Sequence, residues 1–185
     1  MYSRTNTKLS QLSLQQVLRL CCLCGLSAYM LLPALGHAQD EEDKAAKVWV
    51  DSPVSLPAAP VTENLLRFYS NANQVFFIDT KSISIVADGS LRFTLVSSSQ
   101  AGAKNVSYEG LRCDGNQKRL FAFGRADGSW SSSRRNEWDT FSNKGVNQHH
   151  SSLAWDFICE GGSISGNLDK IIQRIRLNQS LRQFH

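Results

Sequence analysis

Two stretches of this chain hold side chains whose types and spacing suit chemistry. The denser one contains Arg125, Asp127, Trp130, Arg134, Arg135, Glu137 and Trp138. Indole rings offer flat apolar faces with one N–H donor, and guanidinium groups offer planar donors that match carboxylates and phosphates. Such a mixture suits a glycan, a peptide or an anionic small molecule, so Arg125, Trp130, Arg134 and Trp138 are ligand-binding candidates. Tyr108 and Glu109, adjacent in an extended run, join them. The alternative is that Trp130 and Trp138 plug the two ends of a small core, with the arginines solvated around them.

The second stretch is Glu109 and its surroundings. A carboxylate inside a strand either faces water or pairs with an arginine, and Arg92, Arg112 and Arg125 are available. An exposed pair of that kind contributes little. A general acid or base acting on a glycoside needs a second positioned carboxylate. Asp79, Asp127 and Glu137 are present, and nothing in the sequence selects among them. A glycan- or peptide-directed hydrolase using Glu109 or Asp127 therefore ranks last among the readings. The run Gly162-Ser163-Ile164-Ser165-Gly166 places Ile164 where a nucleophile elbow requires serine. His149-His150 has no H-E-x-x-H context, and adjacent side chains diverge, so it is expected on a polar loop or helix surface with no metal. No cofactor is expected.

Stepping N-terminally, the chain begins like an export signal. Arg4, Lys8 and Arg19 precede the apolar run Leu20 to Leu35. Gly36-His37-Ala38 supplies small residues at the cleavage positions, and Asp40 to Asp43 then switch the charge. Residues 1–38 are expected to be a cleaved signal peptide, with cleavage after Ala38 and a periplasmic destination. Cys21, Cys22 and Cys24 leave with it, and their context does not suit lipidation. Cys113 and Cys159 remain, and in an exported chain they are expected to form a disulfide. The leader holds 3 of the 20 basic residues and none of the 16 acidic ones, so the 147 residues that follow carry a net charge of only +1. That removes a global argument for nucleic-acid binding. No transmembrane span is expected in the mature protein.

Residues 39–60 form an extended arm, interrupted by Pro53, Pro57 and Pro60, with Trp49 expected to dock on the domain. Residues 61–185 form a single domain. Asn64 to Tyr69 reads as a helical turn or a strand. Val75 to Ile78, Ser82 to Val86, Leu91 to Val96, Asn105 to Cys113 and Arg119 to Phe123 read as strands. The dipeptides Asp88-Gly89, Asp114-Gly115 and Asp127-Gly128 lie between or after them as tight turns, which argues for an antiparallel meander. Along Asn105 to Cys113, Val106, Tyr108, Gly110 and Arg112 share one face, and Ser107, Glu109, Leu111 and Cys113 the other. Asn147 to Ile158 reads as helix or strand. Asn167 caps a helix whose apolar stripe is Leu168, Ile171, Ile172 and Ile175, with Arg174, Arg176 and Arg182 on its far side and end. The fold class is α+β: an antiparallel sheet of about five to seven strands, with one or two C-terminal helices packed on one face.

The stretch Gly102-Ala103-Lys104-Asn105-Val106-Ser107-Tyr108-Glu109-Gly110-Leu111-Arg112-Cys113 resembles the cryptic neisserial protein-like family. So do Leu91 to Val96, Phe121-Ala122-Phe123-Gly124-Arg125, the pair Trp130 and Trp138, and Phe157-Ile158-Cys159. Leu56 to Pro60 and Asn64-Leu65-Leu66 fit as well, so the resemblance spans about residues 48–178. It implies an exported protein of Gram-negative bacteria, mainly periplasmic, with no assigned activity and no catalytic residue to transfer. The favoured reading is a non-enzymatic binding module of the cell envelope, with an envelope protein, a glycan or an anionic small molecule as partner. A structural or assembly component docking through its arm is second.

Overall fold

The structure is a computed structural model that describes residues 50–184. The expected signal peptide, Trp49 and the first part of the arm lie outside the described residues. Six strands follow one another as an antiparallel meander: β1 (Leu65–Ser70), β2 (Gln74–Ile85), β3 (Leu91–Ser99), β4 (Lys104–Arg112), β5 (Gln117–Gly124) and β6 (Trp130–Ser132). A short β7 (Asp139–Thr140) pairs with the start of β5. The three Asp-Gly turns are formed, and their glycines carry φ of 76°, 76° and 82°, values that a side chain would resist. Asn64 ends a 3₁₀ turn, and the strand β1 follows it.

The runs Val75 to Ile78 and Ser82 to Val86 belong mainly to one long strand, β2. Its register with β3 shifts between Asp79 and Ser84, so Thr80 to Ile83 oppose Phe93 alone. A bulge of that size would leave backbone groups unpaired. The Ser82 hydroxyl fills the gap: it accepts from the Thr94 N–H at 2.7 Å and donates to the Asp79 carbonyl at 2.8 Å.

The period-two alternation separates two faces. Leu91, Phe93 and Leu95 oppose Leu111, Glu109 and Ser107 on one face, while Arg92, Thr94 and Val96 oppose Gly110, Tyr108 and Val106 on the other. The first face carries the main core. Phe76, Ile78, Phe93 and Leu111 pack there with Leu153, Phe157, Ile158, Ile171 and Ile175 from the C-terminal segment. The second face carries a smaller cluster of Tyr108, Phe121 and Ala122, against which Trp130 and Trp138 pack half-buried.

Asn147 to Ile158 is helical. A 3₁₀ turn leads into α1 (Gln148–Ser152), which continues as a π-helical turn over Leu153–Ile158 that buries Leu153, Ala154, Phe157 and Ile158. After a two-residue-strand hairpin, β8 (Cys159–Glu160) and β9 (Ser163–Ile164), comes α2 (Leu168–Leu177). Asn167 accepts from the Lys170 N–H at 3.0 Å as its cap, and Ile171 and Ile175 are buried. Arg174 differs from expectation. It is half-buried and donates to the carbonyls of Phe157 and Ser165, because the hairpin leaves those acceptors within reach of a guanidinium fork. Cys113 and Cys159 form a disulfide that ties the end of β4 to the C-terminal segment.

No helix among the described residues is long and apolar enough to cross a membrane. Residues 50–60 have no regular secondary structure and lie on the face of the sheet opposite the helices, held by the contacts described next.

Candidate functional site

The second face of the sheet is built from adjacent strands. Arg92 on β3 lies opposite Gly110 on β4, and Gly110 lies opposite Arg119 on β5. Arg112 ends β4. On β5 a bulge leaves Phe121 between Leu120, which pairs with Glu109, and Ala122, which pairs with Tyr108. Phe121 follows Arg119 onto this face by alternation, and its ring lies 5.9 Å from Tyr108 and edge-on to Trp138 at 6.3 Å. Gly110 makes the arrangement possible. A Cβ there would stand 2.8 Å from Phe121 Cε2 and 2.9 Å from Trp138 Cη2. The arginines stack on these rings, with Arg112 3.9 Å over Trp138 and Arg92 4.3 Å over Phe121.

The arm lies on these groups. The Asp51 carboxylate accepts from Arg112 at 2.6 Å, from Trp138 Nε1 at 3.1 Å and from Arg119 through its other oxygen. Arg92, 1% exposed, donates to the Ser52 carbonyl and to Asp88, each at 3.1 Å. Ser52 and Asp88 exchange two hydrogen bonds: the Ser52 N–H donates to the Asp88 carboxylate at 2.8 Å, and the Asp88 N–H donates to the Ser52 hydroxyl at 3.0 Å. Trp130 Nε1 donates to the Pro57 carbonyl at 2.8 Å. Burial pushes the Asp51 carboxyl up, but the hydrogen bonds from Arg119, Trp138 and Arg112 outweigh it and hold the group below the usual carboxylate range. At Asp88 burial is likewise outweighed by Ser90, Ser52 and Arg92, and the carboxyl sits well below its ordinary value.

Of the sequence candidates, Tyr108, Trp130 and Trp138 meet here. The indoles are half-buried, outside the main core, and each donates its N–H to the arm. Arg125 and Arg134 are exposed on the loops flanking β6. The guanidinium groups around the indoles come instead from Arg92, Arg112 and Arg119. Arg112 could have been found from the alternation that places it on the Tyr108 face of β4. Arg119 shares its face with Phe121, two residues on, ahead of the register shift, so the same alternation read along β5 could have found it.

Glu109 points to the helix face. It is 8% exposed and His150 is 5% exposed. His150 Nε2 lies 2.6 Å from one Glu109 oxygen, and the Ser107 hydroxyl donates to the other at 2.6 Å. Burial pushes this carboxyl up, yet the charge and hydrogen bond of His150 and the Ser107 hydroxyl outweigh it and bring it to about 2. The expected pairing with arginine is not what forms, because the pleat sends Arg92 and Arg112 to the opposite face. The expectation of a surface His149-His150 is also corrected. The helix α1 packs against β1, burying His150 and leaving His149 half-buried. His149 stacks on Phe76 at 4.2 Å and lines a cavity of about 340 Å³ with Tyr69, Phe76 and Gln148. Burial, then the charge of His150, lowers its pKa to about 3.

The other carboxylates are dispersed. Asp79 is buried and accepts from the Lys81 N–H at 3.0 Å. Asp127 is exposed and holds its turn together through the Ser129 N–H at 2.9 Å and hydroxyl at 2.6 Å. Glu137 is exposed near Arg135.

A model of the CNP1-like family matches residues 44–176. The chain belongs to the CNP1-like family. The match begins before Asp51 and ends beyond Cys159, so it takes in the described arm, the face beneath it, the Glu109–His150 pair and the disulfide. It is the family that the central segment of the sequence resembles. No curated protein and no solved structure matches the chain. The CNP1-like match covers both faces of the sheet.

Proposed function

We propose that the chain is an exported, periplasmic, non-enzymatic binding module of the bacterial cell envelope, and that its binding face is the arm-covered side of the sheet. The order of the leading residues supports export: a basic start, an apolar run, small residues at the cleavage positions, then acidic residues. The disulfide supports an oxidising compartment. The observation that carries the binding role is the Asp51 carboxylate held by Arg112, Arg119 and the Trp138 indole. That face already grips an extended segment of polypeptide by its polar groups. Such a combination of stacked aromatic and arginine is common at recognition surfaces.

Two measurements test the proposal. Osmotic-shock fractionation and N-terminal sequencing should find the protein in the periplasm, beginning at Gln39. Recovery from the cytoplasm with its first 38 residues intact would overturn export. A cross-linked envelope partner should be lost in folded Trp130→Ala and Arg119→Ala variants, and a partner retained by both would remove this face from the binding role.

A further inference from the structure

The contacts between arm and sheet have a consistent polarity. From the sheet, Arg92, Arg112, Arg119, Trp130 Nε1 and Trp138 Nε1 all donate, and Asp88 supplies the accepting carboxylate. From the arm come a carboxylate and the carbonyls of Ser52 and Pro57, with the Ser52 N–H answering Asp88. A proline-rich segment is suited to such a face, since each proline keeps its carbonyl and has no N–H to leave unpaired. Indole donors over an extended proline-containing chain are a recurring way of recognising peptides.

The arm is held through discrete polar contacts. It forms no strand with the sheet, Val54 and Leu56 are 45% and 42% exposed, and the Asp51 side chain is 42% exposed. Its removal would uncover Arg92, Arg112 and Arg119 and the half-buried Trp130 and Trp138.

Resting on the binding role proposed above, we infer that residues 50–60 are an internal occupant of a peptide site. The ligand of that site is an extended, proline-containing segment with an aspartate or glutamate placed like Asp51, supplied by another polypeptide. The carboxylate enters between Arg112 and Arg119 against Trp138, and a carbonyl about six residues on meets Trp130. The tethered arm competes at an effective concentration in the millimolar range, so a ligand in trans binds weakly until the arm is displaced.

The test uses the full mature chain and a fluorescein-labelled synthetic peptide of residues 50–60. Asp51→Arg sets a cation against Arg112 and Arg119 and frees the arm without touching the face. Fluorescence anisotropy should find the peptide bound at least tenfold more tightly by Asp51→Arg than by wild type, and the same peptide with asparagine for aspartate bound at least tenfold more weakly. Asp51→Asn, a gentler change, should fall between the two proteins. Equal binding by wild type and Asp51→Arg, or no binding by either Asp51 variant when both are folded, would overturn the inference. Export and partner cross-linking read the earlier proposal separately. A surviving cross-link with failed peptide binding removes only the peptide inference, and a cytoplasmic protein that binds the peptide removes only export.

Discussion

Glu109 and His150 are 41 residues apart in sequence and 2.6 Å apart in the fold, sealed between the sheet and α1. The pair joins the middle of β4 to the C-terminal segment, as the disulfide does from the end of the same strand. A buried pair of this kind is a poor source of net stability but is strongly destabilising when only one partner is removed. His150→Ala should therefore lower stability by about 3–5 kcal/mol, because it leaves the Glu109 carboxylate buried without the partner that His150 supplies. The double variant Glu109→Leu, His150→Leu should be less destabilised than His150→Ala. Urea denaturation of the two proteins decides it, and the reverse order would mean that the pair is worth more than its burial costs.

Acid should act through this same region. Glu109 titrates near 2 in the folded chain against an ordinary 4.5, so its contribution is complete above pH 4.5 and is lost as the pH falls toward 2. His149 is depressed from 6.5 to about 3, so the unfolded chain takes up that proton first and stability falls as the pH drops from 6.5 toward 3. Both slopes have the same sign, each at most about 1.4 kcal/mol per pH unit. The urea midpoint should be flat between pH 7 and 8 and decline below pH 6.5. His149→Phe should flatten the decline between pH 6.5 and 4.5, whereas Glu109→Gln should change it only below 4.5.

Gly110 is a packing requirement of the arm face. Gly110→Ala pushes a methyl into the Phe121 and Trp138 rings and should lower stability by about 1–3 kcal/mol. Because Trp138 must move, its emission should shift, and a wild-type spectrum with wild-type stability would show that the rings give way freely.

The disulfide should carry a large share of the stability. Closing the loop between Cys113 and Cys159 contributes about 4 kcal/mol in the chain-entropy account. A Cys113→Ser, Cys159→Ser protein should lose roughly that amount by urea denaturation. The mature wild-type chain should show no free thiol under non-reducing conditions.

Loosening the arm should show in proteolysis before it shows in global stability. Asp51→Ala removes the acceptor of Arg112, Arg119 and Trp138. Cleavage within residues 50–60 should accelerate several-fold while the core remains resistant, since segments with few buried contacts open locally. Unchanged cleavage would place the hold on the arm at Ser52 and Pro57 instead.

Local signals in this chain were sufficient for the meander, because Asp-Gly turns between alternating runs specify neighbouring antiparallel strands by short-range chemistry. They were sufficient for the α2 cap and stripe, for the faces of β4, and for the cysteine pair, once Cys21, Cys22 and Cys24 were assigned to an expected leader. The large bulge in β2 escaped them. Its inserted residues keep the composition of a strand, and only the pairing with Phe93 reveals the slip. The Phe121 bulge escaped them as well, since Ala122 pairs with Tyr108 where strict alternation would put it on the face of Leu120.

The sequence by itself determined the strands of the meander, the turns, the α2 helix and which residues of β4 share a face, since each depends on neighbours a few positions away; it left residues 64–69 and 147–158 open between helix and strand. Which side chain meets Glu109, and what meets the indoles, were decided by the tertiary structure alone. His150 reaches Glu109 because α1 packs on one face of the sheet. Arg112 and Arg119 meet Asp51 because the arm returns across the other, over separations of 61 and 68 residues. Pairings between such distant segments follow from how whole faces are buried, and no short-range pattern encodes them.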